Sequence, residues 1–307
     1  MKRREFCSAA GAAAFAVAVS ATAKTMANPG SLSVRPTPGG PLVTPRGEFF
    51  VYSQMRTPPE RAASIQFDGL VRRPRRYSEA DLAAMPHQRG VWTDECFVNR
   101  AGGPLIFTPA FAGVSLSGLM QVLAPSPEAR AVRIETNDGH PPFLLPFSEL
   151  KRPGALLVAT MGHAPVPLRH GSPYTRIFVP GAGGNHHPKW VNRVTFIAEP
   201  APEHPAPALA GFLLPSPPEV TGSLAGVELS GYAFAGPEPV ASVEFSTDAG
   251  RTWRRMPLPA QPDPFLWITW QVHWKPPERG FYVLRVRATG AGGDHQATPG
   301  TLAVEVR

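Results

Sequence analysis

Proline recurs so often in this chain that long helices are excluded: 38 prolines and 29 glycines fall within 307 residues. Each internal proline removes a helix hydrogen bond and clashes with the preceding turn. What remains possible is a set of short elements joined by many loops. The chain is nevertheless 43 % hydrophobic, enough to bury a real core, so a disordered tail is excluded. Its length suits one large or two ordinary domains.

The formal net charge of +7 invites a nucleic-acid reading until it is localised. The N-terminus runs Met1, Lys2, Arg3, Arg4, Glu5, Phe6, followed by the Ala-rich stretch from Ser8 to Ala23. Paired arginines before such a stretch predict a twin-arginine export signal over residues 1–27. The stretch is too short and too rich in alanine to span a bilayer. The expected address is the periplasm, reached through the twin-arginine translocase, with no membrane span after signal removal. Without residues 1–27 the net charge falls to +4, and no Lys/Arg run interleaved with aromatics remains, so nucleic acid is not an expected partner.

Cys7 leaves with the signal, and Cys96 is then the single cysteine of the exported chain. Two cysteines exclude a disulfide scaffold. A lone thiol in an oxidising compartment reads either as a buried structural cysteine or as a thiolate ligand to a metal. No second cysteine stands at zinc or iron–sulfur spacing, so a metal here would draw its remaining ligands from a cofactor. No Cys-x-x-Cys-His haem motif occurs, so no haem is expected in this chain.

Composition divides the rest. Residues 28–48 are rich in Pro and Gly and predict an extended arm; residues 49–200 carry α+β texture. Alternation predicts a strand over Ile65–Val71, and the Ser78/Asp81 spacing a capped helix ended by Pro86. Ser115 caps a second helix with Leu116, Leu119, Met120 and Leu123 on one face. Residues 201–216 read as a Pro-rich linker, and residues 217–307 as wholly β. Strand-like runs over 227–234, 240–246, 265–274, 280–288 and 302–306 predict an immunoglobulin-like sandwich. Its core would rest on Trp253, Trp267, Trp270, Trp274, Phe245 and Tyr282.

A Gly-rich turn at Gly181–Gly184 lies between Arg176 and the His187-Pro188-Lys189 run, a combination suited to phosphate. The neighbouring His186 and His187 also read as a metal pair, though adjacent side chains rarely face one way.

Cys96 with Asn99 three places on, the Phe111-Ala112-Gly113-Val114-Ser115-Leu116 helix entry and His170-Gly171 through Arg176 stand in a familiar order. Val179-Pro180-Gly181, Lys189-Trp190 and the Val243-Glu244-Phe245-Ser246…Asp248-Ala249-Gly250-Arg251-Thr252-Trp253 run complete it. In this order the chain resembles the sulfite oxidase family of molybdenum-cofactor oxidoreductases, over roughly residues 41–300.

The resemblance implies an α+β molybdopterin-binding catalytic domain followed by an all-β immunoglobulin-like dimerisation domain. Cys96 becomes the thiolate ligand of molybdenum, whose other ligands are the pterin dithiolene and oxo groups. Phe50, Tyr52, Ser53, Gln54, Asn99, Asp138, His170, Arg176, His187 and Lys189 fall where the family contacts the cofactor. The implied activity is oxygen-atom or two-electron transfer on a small substrate, by family default sulfite or another sulfur oxyanion. Electrons would pass to a c-type cytochrome. Where the family has Arg, Asn and His after its Phe, this chain has Tyr52, Ser53 and Gln54, and Ala101 stands where authentic sulfite oxidases carry an Arg. A reductase of a less charged S-oxide or N-oxide is therefore the first alternative, and a non-catalytic assembly module the second.

Overall fold

The computed structural model describes residues 31–35, 43–53, 55–100, 102–103, 105–214 and 219–307. The export signal, Gln54, Ala101 and residues 215–218 lie outside the described residues.

The first half is built on two five-stranded sheets. One runs Ala164–Pro165, Leu156–Met161, Ala110–Ser115, His87–Val91, with Arg176–Phe178 also paired to Leu156–Met161. The other runs Arg75–Ser78, Ser64–Gly69, Val191–Ile197, Ala131–Thr136, Phe143–Pro146. Leu156–Met161 explains why they pack. Its side chains alternate between two cores, Leu157 and Ala159 facing the second sheet while Leu156 and Val158 join Phe49, Trp92, Phe107, Phe111 and Phe178. A strand buried on both faces reads as a continuous apolar run, as this one does.

The helical part of the expected α+β domain is three short pieces, Glu79–Ala83, Leu116–Leu123 and Phe147–Leu150. The Ser78/Asp81 capping box forms as expected, with each side chain bonded to the other residue's backbone N–H. Leu116, Leu119, Met120 and Leu123 are all buried, the face their spacing predicts.

The second half is a two-sheet sandwich. One sheet runs Ser31–Arg35, Ile268–Lys275, Val227–Phe234, Leu209–Leu214; the other runs Glu219–Gly222, Gly300–Val306, Gly280–Gly290, Val240–Ser246, Arg254–Met256. Between them lie Trp270, Trp274, Phe245 and Tyr282, as expected. Two expected core aromatics go elsewhere. Trp253 sits at the edge under the Arg287 guanidinium, 4.1 Å from its ring centre. Trp267 packs with Ile106, Ala206, Leu209, Tyr232 and Phe234 in a separate cluster.

Two boundaries differ from expectation. The arm at 28–48 contains Ser31–Arg35, an edge strand on Ile268–Lys275. The expected linker 201–216 contains Leu209–Leu214, a full member of the sandwich. Its proline-poor end, Leu209 through Phe212, is buried and alternates well enough to pair. The proline-rich beginning is docked too: Ala206 N–H donates to Gly181 O at 3.0 Å.

The sandwich meets the first half beside Cys96. Tyr232 OH donates to Gly103 O at 3.0 Å, and Trp267 N–H donates to Thr93 Oγ1 at 2.8 Å. Gly211 and Gly102 touch so closely that a Cβ on Gly211 would stand 2.4 Å from the Gly102 Cα. Gly211→Ala should therefore force the Cys96 loop off the sandwich and cost about 1–3 kcal/mol. Denaturant unfolding of the two proteins side by side measures this; equal midpoints would contradict the contact.

Candidate active site

Cys96 follows the two-residue strand Asp94–Glu95, which pairs with Ile106–Phe107. Alternation along that strand places Asp94 and Cys96 on one face and Glu95 on the other. Asp94 and Cys96 accordingly line one small cavity, with Phe50, Tyr52, Phe97, Phe107, His170, Arg176, Gly184, His187 and Lys189. The loop beyond is closed by Cys96 N–H to Leu105 O at 3.0 Å and Asn99 N–H to Cys96 O at 2.8 Å.

Asp94 organises the cavity floor. Its carboxylate accepts from Arg176 Nη2 at 2.5 Å and faces His187 Nδ1 at 2.9 Å, all three side chains being buried. Burial opposes its ionisation, but the His187 and Arg176 charges and their hydrogen bonds outweigh it, holding the carboxyl well below its ordinary range. Arg176 spends a second donor on His170 O at 3.2 Å. His187 spends its other ring nitrogen on Val179 O at 2.9 Å. Both His187 nitrogens are thus committed, and its role is to hold the turn carrying Pro188 and Lys189.

The segment from His170 to Arg176 is tightly constrained. Gly171 has φ 123°, and Ser172 and Tyr174 are left-handed non-glycines at 65° and 60°. Thr175 Oγ1 bonds back to Gly171 O, and Tyr174 N–H is anchored on Val158 O at 2.7 Å. Such conformations persist only where the surroundings over-determine them. Here they bring His170 and Arg176 together over the cysteine.

Two buried polar atoms at this cavity have no partner: His170 Nε2 and Arg176 Nε. Burial, with the nearby Arg176, Lys189 and Arg169 charges, pushes His170 down to about 3, so the ring is neutral at ordinary pH. Lys189 reaches Tyr52 O at 2.6 Å and is pushed down to about 8, chiefly by burial and then by Arg176. Burial pushes the Cys96 thiol up, against a backbone N–H of Val98 that favours the thiolate.

The small cavity opens into a cleft of about 410 Å³ that shares Tyr52, Phe97, Gly184, His187 and Lys189 with it and adds Ser53, Asp138, His140, Asn185, His186 and His204 among its walls. Of the expected cofactor residues, Phe50, Tyr52, His170, Arg176, His187 and Lys189 meet Cys96 in the small cavity, and Ser53 and Asp138 lie further out. Asp138 is partly engaged, accepting from Thr136 Oγ1 at 2.6 Å and from His140 N–H at 3.2 Å. Asn99 lines neither space. Its Oδ1 accepts from Leu105 N–H at 3.0 Å, shaping the Cys96 loop from behind. His186 and His187 do not form a metal pair: His186 turns to Glu149 and His187 to Asp94.

Sequence reasoning missed Asp94 and Glu95 as functional groups, and Glu149, His186 and His204 as a unit. The signal for Asp94 was its position two before Cys96 in a strand, hence on the same face. Glu95, on the opposite face, is pushed up to about 8 by burial and then by the Asp94 charge.

The described residues contain no group of three or more His, Cys, Asp or Glu side chains able to hold a metal. A metal bound at Cys96 needs ligands from a cofactor. The residues fit one. The thiol faces a cavity, two buried donors or acceptors there await a partner, and Gly184 leaves the approach clear, since a Cβ on it would lie 3.1 Å from the Cys96 Cα. No described helix is long and apolar enough to cross a membrane.

Residues 54–205 match the family model of the oxidoreductase molybdopterin binding domain. Among solved structures, the chain is similar to the sulfane dehydrogenase SoxCD of Paracoccus pantotrophus at 20 % identity and TM-score 0.71, over 90 % of this chain and 80 % of that chain. Murine CRIg matches at 12 % identity and TM-score 0.22, over 32 % of this chain and 98 % of that one, too distant to inform the fold of the sandwich. No curated protein sequence matches.

Two predictions follow from the buried charges. Asp94→Asn leaves Arg176 and His187 without their counter-charge and should cost about 3–5 kcal/mol in denaturant unfolding at neutral pH; an unchanged midpoint would contradict the assignment. For pH, the unfolded chain protonates His170 at its usual 6.5 while the native ring resists to about 3, so stability falls as pH drops through that window. Glu95 works oppositely. The unfolded carboxyl ionises near 4.5 and the native one near 8, so stability falls as pH rises between them. Glu95→Gln should remove the second loss and raise the melting temperature at the alkaline end of that window, read by calorimetry across pH.

Proposed function

We propose that this chain, whose residues 54–205 match the oxidoreductase molybdopterin binding domain and whose motifs resemble the sulfite oxidase family, oxidises a small reduced-sulfur substrate by two-electron oxygen-atom transfer, with Cys96 as the protein ligand of the metal. The observation that carries this reading is the pair of unpartnered buried atoms, His170 Nε2 and Arg176 Nε, around the thiol. An unsatisfied buried polar group costs free energy unless a partner arrives, and a bound pterin cofactor supplies partners there.

When bound, the cofactor supplies redox chemistry that no side chain can. The chain's own contribution is orientation and charge. Arg176 is locked to Asp94 and keeps one nitrogen for a ligand; His170 stays neutral and offers hydrogen bonding without charge; Lys189 offers a cation to an anionic cofactor group. Protonated Lys189 binds an anion best below about pH 8.

The mouth of the cleft supports the substrate class proposed. Phe97 is 50 % exposed and Leu144 43 % exposed there, with Tyr52 beside them. A sulfite dianion needs clustered cations to offset its desolvation, and these exposed side chains supply none. The similar structure is a sulfane dehydrogenase, and a sulfur centre carrying less charge than sulfite suits this apolar lip. The same lip supports a second reading, reduction of an S-oxide or N-oxide.

The remaining features of the proposal are export to the periplasm through the twin-arginine route, electron transfer to a c-type cytochrome, and homodimerisation through the sandwich as an immunoglobulin-like domain. Protein purified from the periplasm should hold molybdenum at near one per chain. Less than about 0.1 per chain would sink the enzyme reading and leave an assembly module. Cys96→Ser should abolish turnover of every substrate found in a dye-linked screen run in both directions, while preserving the fold. Retained activity would place the chemistry elsewhere.

A further inference from the structure

A second buried carboxylate stands behind the opposite wall of the cleft. Glu149, in the short helix Phe147–Leu150, is fully buried. Its Oε2 lies 2.5 Å from His186 Nδ1, and its Oε1 accepts from the His204 backbone N–H at 3.0 Å. Burial opposes ionisation of Glu149, but the hydrogen bonds from His186 and His204, and then the charge of Arg152, hold it below its usual range. A carboxylate therefore faces Nδ1, which must carry the proton. Nε2 is left as the ring nitrogen with a free lone pair, on a side chain that lines the cleft.

The same carboxylate holds the backbone of a second histidine. His204 is held at its N–H by Glu149 and at its carbonyl by Gly183 N–H at 2.8 Å. Its ring centre is 4.1 Å from that of His186, tilted by 50°. His186 is buried and His204 exposed, so the two rings run from the cleft wall to solvent. The other ionisable groups around them are Asp138, His140 and Lys189 across the cleft, and the Arg152–Glu203 pair, 3.4 Å apart, behind Glu149.

We propose that His186, oriented by Glu149, is the proton acceptor of this cleft and that His204 passes the proton to solvent. The inference rests on the reaction proposed above. When a substrate X gains its oxygen from water, X and H2O give XO, two protons and two electrons. The electrons go to one-electron acceptors of cytochrome type, and the protons must leave a largely buried site. His186 Nε2 takes them one at a time: an O–H bond of the water breaks, an N–H bond forms, the carboxylate of Glu149 balances the positive ring, and the proton leaves through His204 to solvent before the second is taken. Glu149 is the positioning residue, because it touches His186 and not the substrate. A carboxylate–imidazole pair is a recurrent way to fix the tautomer and raise the basicity of the outer nitrogen.

Nitrogen-15 histidine NMR of the purified full-length chain tests this without turnover, the His186 signals being assigned by their loss in His186→Gln. The expected spectrum has the neutral-ring proton on Nδ1 and the lone pair on Nε2. Glu149→Gln should raise the Nε2-protonated fraction of the neutral ring at least about fivefold. A neutral proton on Nε2, or no change in Glu149→Gln, overturns the proposal. In the metal-loaded enzyme with a substrate from the screen, His186→Gln should lower kcat by about 10²–10⁴-fold with KM little changed, and added imidazole should restore part of the loss. His204→Gln, on an exposed residue, should enlarge the solvent deuterium isotope effect on kcat. Unchanged kcat in His186→Gln also overturns the proposal. An enzyme that turns over nothing counts against the reaction proposed above, and the NMR arm still decides the tautomer and the pairing.

Discussion

Everything around the cysteine depends on one buried carboxylate. Asp94 binds Arg176 from the strand Arg176–Phe178 and His187 from the turn that follows it, and so ties two separate stretches of chain to the strand that precedes Cys96. Such a cluster is a weak source of stability, because desolvating the charges nearly cancels their attraction. What it provides is placement. With Asp94 occupied, one Arg176 nitrogen and the neutral His170 are left facing the cavity without partners, which is a site prepared for something other than protein.

The rest of the fold keeps that site narrow and its loop still. Leu156–Met161, buried on both faces, sets the distance between the two sheets of the first half, and the sandwich leans on the Cys96 loop through Thr93, Gly102 and Gly103. The abundance of proline and glycine acquires a local meaning here. Gly211 is a place where backbone approaches backbone too closely for a side chain, and Gly184 packs tightly on the Cys96 backbone. The prolines from Pro202 onward do not make a free spacer; they lead a docked segment that carries His204 to the cleft and Ala206 into the interface.

Much of this was legible in the chain. The Ser78/Asp81 cap, the apolar face of Leu116–Leu123 and the alternation of the late strands are local signals, and each formed where its spacing said. The grouping of Cys96 with His170, Arg176, His187 and Lys189 was legible through family order. What could not be read has one physical cause, which is long-range pairing. Ser31–Arg35 finds its partner more than two hundred residues away, and nothing in its own composition distinguishes it from a loose arm. Glu149, His186 and His204 are unremarkable separately and acquire chemistry only when the fold brings them together. Asn99 shows the converse: its position matches a family motif, while its hydrogen bonds serve the loop.

The central claim is that the Cys96 sulfur binds molybdenum in this cavity. X-ray absorption at the molybdenum edge of the purified protein, compared with Cys96→Ser, tests it most directly. The account predicts about three sulfur neighbours in the natural chain and the loss of one in the variant. An identical sulfur shell in both proteins would contradict it.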